Sequence, residues 1–265
     1  MNPKKVLVVC HKDYHEAVSV VMKALADEGI GSSCVNRDLL SAGKLKGADL
    51  VISVGGDGTL LRTSHHLSGQ PVLCVSPNPK LNEGFFSRAC AADFREKLKL
   101  LLKGKYKVLN LNRLEAVISY GKMKVTAEPA LNEVFIGSMK PYQTARYILK
   151  VGRKSEFQKS SGVLVSTSAG SNAWLGSAGG KKLPVKSGQL QFRVREPYTG
   201  RLTKPKLKGG VLPKSASIGI KSLSWHGIIA IDSIREYPFR EGAAVTIRSS
   251  KVPLRLVGFY NSGTK

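Results

Sequence analysis

An α/β domain followed by an antiparallel β-sandwich-like domain is the architecture the sequence predicts, on three observations. Up to about residue 105, short apolar runs alternate with segments of helical periodicity. Beyond that point the apolar segments are short, β-rich and separated by Gly, Ser, Pro and Lys. Within the first part, the stretch VISVGGDGTLL at 51–61 sets three glycines between a buried-type strand and a helix.

In the first part, KVLVV reads as a strand. HEAVSVVMKALADEG reads as a helix, with Ala17, Val20, Val21, Ala24 and Leu25 at helical spacing and Gly29 ending it. DLVISV, the glycine loop, the helix TLLRTSHHL and the strand PVLCVS follow. ADFREKLKLLLKG then reads as a helix that Asp93 opens, with Glu96 three residues on as a capping pair. Strand alternating with helix implies a Rossmann-like parallel sheet with crossover helices. In the second part, RLEAVISYGKMKVTAE, ALNEVFIG, RYILKVGRK, GVLVST, ASIGIKSLSW, GIIAID, AAVTIRSS and PLRLVGF read as strands of a sandwich. Helical potential there is confined to GSNAWLGSAGG, and 197–215 reads as a loop.

Composition bounds the partners. The 42 basic and 18 acidic residues give a net charge of +24, which favours polyanions. Nucleic acid is one class; nucleotides or polyphosphate are the other. No basic helix, aromatic RNA-binding strand or zinc-finger spacing organises the charge, which speaks against nucleic acid and leaves a solvated basic surface as an alternative. No run approaches the ~18 apolar residues that would span a bilayer. The cysteines Cys10, Cys34, Cys74 and Cys90 have no zinc spacing and read as buried, reduced thiols of a cytoplasmic protein.

The glycine loop matches neither G-x-G-x-x-G nor G-x-x-x-x-G-K-[ST]. Its placement still suits phosphate, because backbone N–H groups and the helix dipole converge at a helix start. Gly55, Gly56, Gly58 and Thr59 are therefore candidate phosphate ligands. Asp57, in a ring of positive partial charge, is the candidate general base for an attacking hydroxyl; the alternative is that it caps the helix at Thr59.

Further along, Asn132 offers amide donors and an acceptor suited to a base edge, and Glu133 can accept from a ribose diol. Ser166, Thr167, Ser168, Gly170, Ser171 and Asn172 offer hydroxyls and backbone for a pyrophosphate. Phe85 and Trp174 offer flat faces for a ring. Each has a plainer alternative: a strand-end pair, a turn, and core packing. His65 and His66 read as helix-facing or surface residues, and Asp232 as a hairpin turn residue.

GGDGTLL resembles the signature of the NAD kinase family; related motifs occur in diacylglycerol, sphingosine and phosphofructokinases. LNEVFIG resembles that family's Asn-Glu motif, SSGVLVSTSAGSNAWLGSAGG its glycine-rich segment, and NPKLNEGFF its loop ending in Gly-Phe. The match runs in family order over nearly the whole chain. Two departures stand out: Ser160-Ser161-Gly162 replaces the usual Gly-Asp-Gly, so a carboxylate is missing at Ser161, and Ala173-Trp174 replaces Ala-Tyr. These, with TARY around Arg146 and REP at Arg195 to Pro197, resemble the mitochondrial branch.

The resemblance implies domains at 1–105 and 106–248, with a terminal strand in 249–265 returning to the first. It implies transfer of a phosphoryl group from ATP, or polyphosphate, to the 2′-hydroxyl of the adenosine ribose of NAD, with Asp57 as base. It also implies Mg²⁺ without identifying its ligands, and a homodimer or homotetramer. The dinucleotide would meet Phe85, Asn132, Glu133, Arg146, Ser161, Asn172, Ala173, Trp174 and Ser177. The rivals are a GGDG-type lipid kinase, against which STSAGSNAW speaks, and a catalytically silent binder of polyanions.

Overall fold

The computed structural model describes residues 1–260. The chain forms two compact units, the first comprising Met1–Asn110 and the segment from Pro253 on, the second Leu111–Val252. Of the segment 249–265 assigned to a terminal strand, residues 261–265 lie outside the described residues.

The first unit is built on a sheet in which Gly31–Asn36, Lys5–Cys10, Leu50–Val54, Pro71–Ser76, Leu254–Gly258 and Lys107–Leu111 lie side by side in that order. The pairings among the first five strands are parallel. The short strand Ala89–Cys90 also pairs with Pro71–Ser76. Leu50–Val54 and Pro71–Ser76 are buried along their whole length, as unbroken apolar runs in a sheet covered on both faces should be. The helices His15–Asp27 and Phe94–Leu102 turn Val21, Ala24, Leu25, Phe94, Leu98 and Leu101 into the core with Ile52, Leu73 and Val257. Gly29, at φ 69°, ends the first helix as expected.

Two details differ from the sequence reading. Val20 is 40% exposed, so the buried stripe is narrower than its spacing suggested. Asp93 makes no capping hydrogen bond to its helix; its carboxylate instead accepts from the Cys90 N–H at 2.6 Å, tying helix to strand.

The second unit is a sandwich of two six-stranded antiparallel sheets. One holds Lys154–Ser160, Ala145–Val151, Ser217–Ser222, Ala244–Ser249, Leu114–Tyr120 and Met123–Thr126; the other holds Gly209–Leu212, Leu190–Arg195, Gly162–Thr167, Glu133–Ser138, Gly227–Ile231 and Arg235–Pro238. Inward residues such as Ala116, Tyr147, Leu149, Ile220 and Ile247 meet Val134, Ile136, Val163, Val165 and Ile229 from the facing sheet. The outer face of the second sheet is covered at Phe135, Leu164 and Ala230 by Leu175 and Trp174. Those two residues come from the segment read as helical, which forms the single turns Gly170–Asn172 and Trp174–Ser177. The stretch 197–215 is not all loop, since Gly209–Leu212 pairs with Leu190–Arg195.

All four cysteines are free. Cys74 is buried and its thiol is pushed up by that burial, but Cys34 is exposed, so the expectation of buried thiols fails there. Among the described residues no helix is long and apolar enough to cross a membrane.

Candidate functional site

In the first unit the strand Leu50–Val54 delivers the chain directly into the helix Asp57–Ser64 through Gly55 and Gly56. Gly55 has φ 156°, and a Cβ there would lie 2.3 Å from Thr59 Oγ1, so no other residue fits this turn. A Cβ on Gly56 would meet Asn82 Oδ1 at 3.0 Å, whereas Gly58 is exposed with nothing within 4 Å of where its Cβ would be. The turn is therefore tight on its protein side and open on the other. The N–H groups of Gly55 and Thr59 are engaged within the protein, donating to the carbonyls of Val75 at 3.0 Å and Gly56 at 2.9 Å. Of the predicted phosphate ligands, Gly56 and Gly58 are left to offer backbone donors.

Asp57 does not cap its helix. Its carboxylate accepts instead from the backbone N–H groups of Phe85 and Phe86, both at 3.0 Å. A carboxylate has about four acceptor positions, so each oxygen keeps one for a further donor. Arg88 braces the same loop by donating through Nη1 to the carbonyls of Phe85 and Ser87, at 3.1 and 2.7 Å. Burial lowers the Arg88 pKa, and the negative charge of Asp57 opposes that shift. Half-buried Phe85 lies edge-on to Phe86, centroids 4.9 Å apart. A pocket of about 610 Å³ opens beside it, lined also by Asn82, Arg88 and Lys97.

Sequence reasoning missed Arg37, whose Nη1 donates to Thr59 Oγ1 at 3.0 Å and brings a cation to the end of the glycine loop. Being 22 residues from Thr59, it left no local signal. His65 is buried and His66 half-buried.

In the second unit Asn132 and Glu133, 9% and 4% exposed, stand at the entrance to the strand Glu133–Ser138. Ser166 is the residue opposite Glu133. Ser166 Oγ and Thr167 N–H both donate to the Asn132 carbonyl at 2.9 Å, Thr167 Oγ1 donates to the Leu131 carbonyl at 2.7 Å, and Gly170 N–H donates to Thr167 Oγ1 at 3.0 Å. The predicted residues Asn132, Glu133, Ser166 and Gly170 thus share one cluster.

Two predicted roles meet contacts within the protein. Ser166 and Ser168 are fully buried, and the Ser168 hydroxyl is engaged with Ser187 Oγ and the Gln189 carbonyl, both at 2.9 Å. Both hydroxyls have protein partners. Trp174 packs on Phe135 at 4.9 Å with the Arg195 guanidinium 5.2 Å from its ring. These contacts help hold the turn on the sheet, as the packing alternative has it, and the ring stays half-buried.

The remaining predicted residues lie apart. Asn172 and Ser177 are exposed or nearly so, and Ala173 is half-buried beside the two turns. Ser161 donates its N–H to the Arg195 carbonyl at 3.1 Å. It sits five residues along the chain from Ser166, roughly 17 Å at the rise of a strand. Arg146, exposed and opposite Lys159, lines a pocket of about 400 Å³ with Ser138, Lys159 and Trp225.

The Glu133 carboxyl is pushed up to about 8, first by burial and then by the negative charge of Asp232, and its Oε2 is buried without a hydrogen-bond partner. An acid whose pKa is raised on folding holds a proton in the native state that the unfolded chain has lost. Fold stability should therefore fall as pH rises from about 4.5 to about 8, by up to about 1.4 kcal/mol per pH unit. Glu133→Gln should remove this component, as urea unfolding across that range would measure.

A glycine turn that leads a buried strand into a helix N-terminus beside an uncapped carboxylate, and a buried Asn-Glu pair in a β-sandwich, define a nucleotide-binding protein of mixed α/β and β-sandwich build. Residues 6–106 match the family model of the ATP-NAD kinase N-terminal domain. The NAD kinase of Methanosarcina acetivorans is 30% identical, over 80% of this chain and 74% of its own. A probable NADH kinase of Oryza sativa subsp. japonica is 29% identical, over 92% of this chain and 81% of its own. The fold is shared with the crystal structure of yeast NADH kinase complexed with NADH, at a TM-score of 0.84 and 18% identity, covering 99% of this chain and 85% of that one. The chain belongs to the NAD kinase family.

Proposed function

We propose that the chain is an NAD kinase that transfers the terminal phosphoryl group of ATP to the 2′-hydroxyl of the adenosine ribose of NAD, acting in the cytoplasm as a homodimer or homotetramer. The observation that carries the mechanism is the Asp57 carboxylate. It stands at the glycine turn, is not spent on capping, and retains acceptor positions for a hydroxyl proton. Backbone N–H groups of Gly56 and Gly58 at the helix start, with the nearby Arg37 cation, hold phosphate charge. Asn132 reads a base edge, and the unpaired Oε2 of Glu133 accepts from a ribose hydroxyl. Phe85 offers its half-exposed ring to the nucleotide.

Among the described residues no group of three or more His, Cys, Asp or Glu side chains is placed to hold a metal ion. That fits Mg²⁺ carried chiefly by the nucleotide phosphates and water, where it offsets phosphate charge. No protein cage is proposed for it. Membership of the family removes the support for a lipid kinase or a silent polyanion binder. The names of the rice and yeast relatives make NADH the second acceptor to test.

The test is formation of NADP or NADPH from NAD or NADH with ATP and Mg²⁺, run on the wild type and on Gly58→Ala. The added methyl meets no protein atom and improves helix propensity, so the variant should be as stable as the wild type or up to about 1 kcal/mol more stable. Its methyl does enter the space given to phosphate, so kcat/KM should fall at least about tenfold, a loss of ~1.4 kcal/mol in transition-state binding. No product from any acceptor pair would overturn the kinase reading, and an unchanged rate in Gly58→Ala would overturn the phosphate role of the loop.

A further inference from the structure

Asp232 has no part in the chemistry proposed above, yet it is held at many points. It opens the three-residue turn, Asp232, Ser233 and Ile234, between Gly227–Ile231 and Arg235–Pro238. Asp232 and Ser233 have φ 49° and 56°, and Ile234 N–H donates to the Ile231 carbonyl at 2.9 Å. That is the hairpin role its sequence suggested. A turn residue ordinarily faces water, but Asp232 is 3% exposed. Its oxygens accept from three successive backbone N–H groups, those of Leu131 and Asn132 at 2.8 Å and Glu133 at 3.0 Å, and its own N–H donates to the Glu133 carbonyl at 2.9 Å. Buried N–H groups outside a ladder need acceptors, and a carboxylate can serve three at once.

Behind Asp232 stands Arg113, 1% exposed, which donates through Nε to the Val252 carbonyl at 3.0 Å and whose positive charge acts on Asp232. The groups that face Glu133 are then Asp232 from the hairpin, with Arg113 behind it, and neutral Ser166 from the opposite strand.

We infer that Asp232, backed by Arg113, is the positioning residue of the nucleotide-binding pair: it fixes the backbone from which Asn132 and Glu133 reach the dinucleotide and sets a buried negative charge beside Glu133. This rests on the assignment of Asn132 and Glu133 to the nucleotide. Asparagine in place of Asp232 keeps one acceptor oxygen, turns an N–H₂ toward backbone donors, and removes the charge. Glu133 then ionises at lower pH. Shortening Arg113 to Lys draws its charge away from Asp232 and moves Glu133 the other way, since the field of Asp232 is less compensated.

The experiment compares wild type, Asp232→Asn and Arg113→Lys, each with and without Glu133→Gln, in the full chain. Unfolding free energy is followed against pH without ligand, and kcat and KM for NAD are measured at pH 6 to 9. The upper end of the Glu133 window, at about 8 in the wild type, should move down in Asp232→Asn and up in Arg113→Lys. Asp232→Asn should raise KM for NAD at least tenfold while kcat changes less. Should Asp232→Asn fail to fold, the direction of the Arg113→Lys shift decides. A window that stays at the wild-type pH in the folded variants, or a kcat loss at unchanged KM, would overturn the inference. If the wild type forms no NADP, the kinase reading fails on its own, while the ligand-free unfolding data still judge Asp232.

Discussion

Asp57→Asn is expected to lower the rate of NADP formation by about 10²- to 10⁴-fold, the usual cost of losing a general base. The loss should fall on kcat, because an interaction made in the transition state disappears while the phosphate-facing N–H groups remain. A second effect accompanies it. Asparagine can accept from only one of the Phe85 and Phe86 N–H groups that the carboxylate now holds, and its N–H₂ faces the other donor. The half-buried position limits the damage, so stability should fall by about 1–3 kcal/mol. The loosened loop also carries Phe85, so a modest rise in KM for NAD is expected as well. Asp57→Glu separates the two roles: it keeps a base, but its longer arm no longer meets both N–H groups. It should retain more kcat than Asp57→Asn while disturbing the loop as much. Equal kcat in the wild type and Asp57→Asn, with substrate saturating, would remove Asp57 from the chemistry.

The strands that the sequence made plain and those it hid differ in where they lie. Leu50–Val54 and Pro71–Ser76 are interior, covered on both faces, and their apolar runs are unbroken. Gly31–Asn36, Lys107–Leu111, Lys154–Ser160, Gly209–Leu212 and Arg235–Pro238 carry no such run, and each is the edge strand of its sheet. An edge strand needs little burial and is commonly kept polar or charged, so GSSCVN and KSEFQKS give no hydrophobic signal. Leu190–Arg195 is different: it is interior, and its Leu190, Phe192 and Val194 alternate inward, a legible pattern that lysine-rich neighbours obscured.

The site divides along similar lines. Asp57 drew notice in the sequence because three glycines crowded around one acid contribute no side chain to packing. The protein partners of Ser166 and Ser168 were not legible, because hydroxyls that bind a ligand and hydroxyls that bind a neighbouring carbonyl look alike in sequence; for Ser166 the partner, Asn132, is 34 residues away. Asp232 was correctly read as a turn residue, but a turn signal does not say which way its side chain faces. The three N–H groups that draw it inward are about 100 residues distant.

Gly170→Ala should be the most damaging of the glycine substitutions in the second unit, and for a reason unrelated to backbone freedom. Gly170 opens a turn of ordinary helical sense, but a Cβ there would lie 2.2 Å from the Asn132 carbonyl oxygen, 2.5 Å from its carbon and 2.6 Å from its Cα. All three are backbone atoms, so no side-chain rotation relieves the clash. Asn132 cannot step back, because Asp232 holds the N–H groups of Leu131, Asn132 and Glu133 from one side, while Ser166 and Thr167 hold the carbonyls of Asn132 and Leu131 from the other. Either the turn lifts, breaking the Gly170 N–H bond to Thr167 Oγ1, or the Asn132 backbone shifts and carries Glu133 with it. Overpacking of this kind costs about 1–3 kcal/mol, and the melting temperature should drop by about 3–10 °C. The displaced atoms are those that present Asn132 and Glu133, so the acceptor loses binding in the ground state and the transition state alike. A loss of that kind raises KM and spares kcat. KM for NAD should therefore rise at least about tenfold, a loss of ~1.4 kcal/mol, with KM for ATP much less affected. Gly58→Ala is the same chemical change in open space and should show the reverse pattern, a stable fold with impaired phosphoryl transfer. Gly170→Ala melting with the wild type and binding NAD equally well would mean that Asn132 and Gly170 do not meet as described.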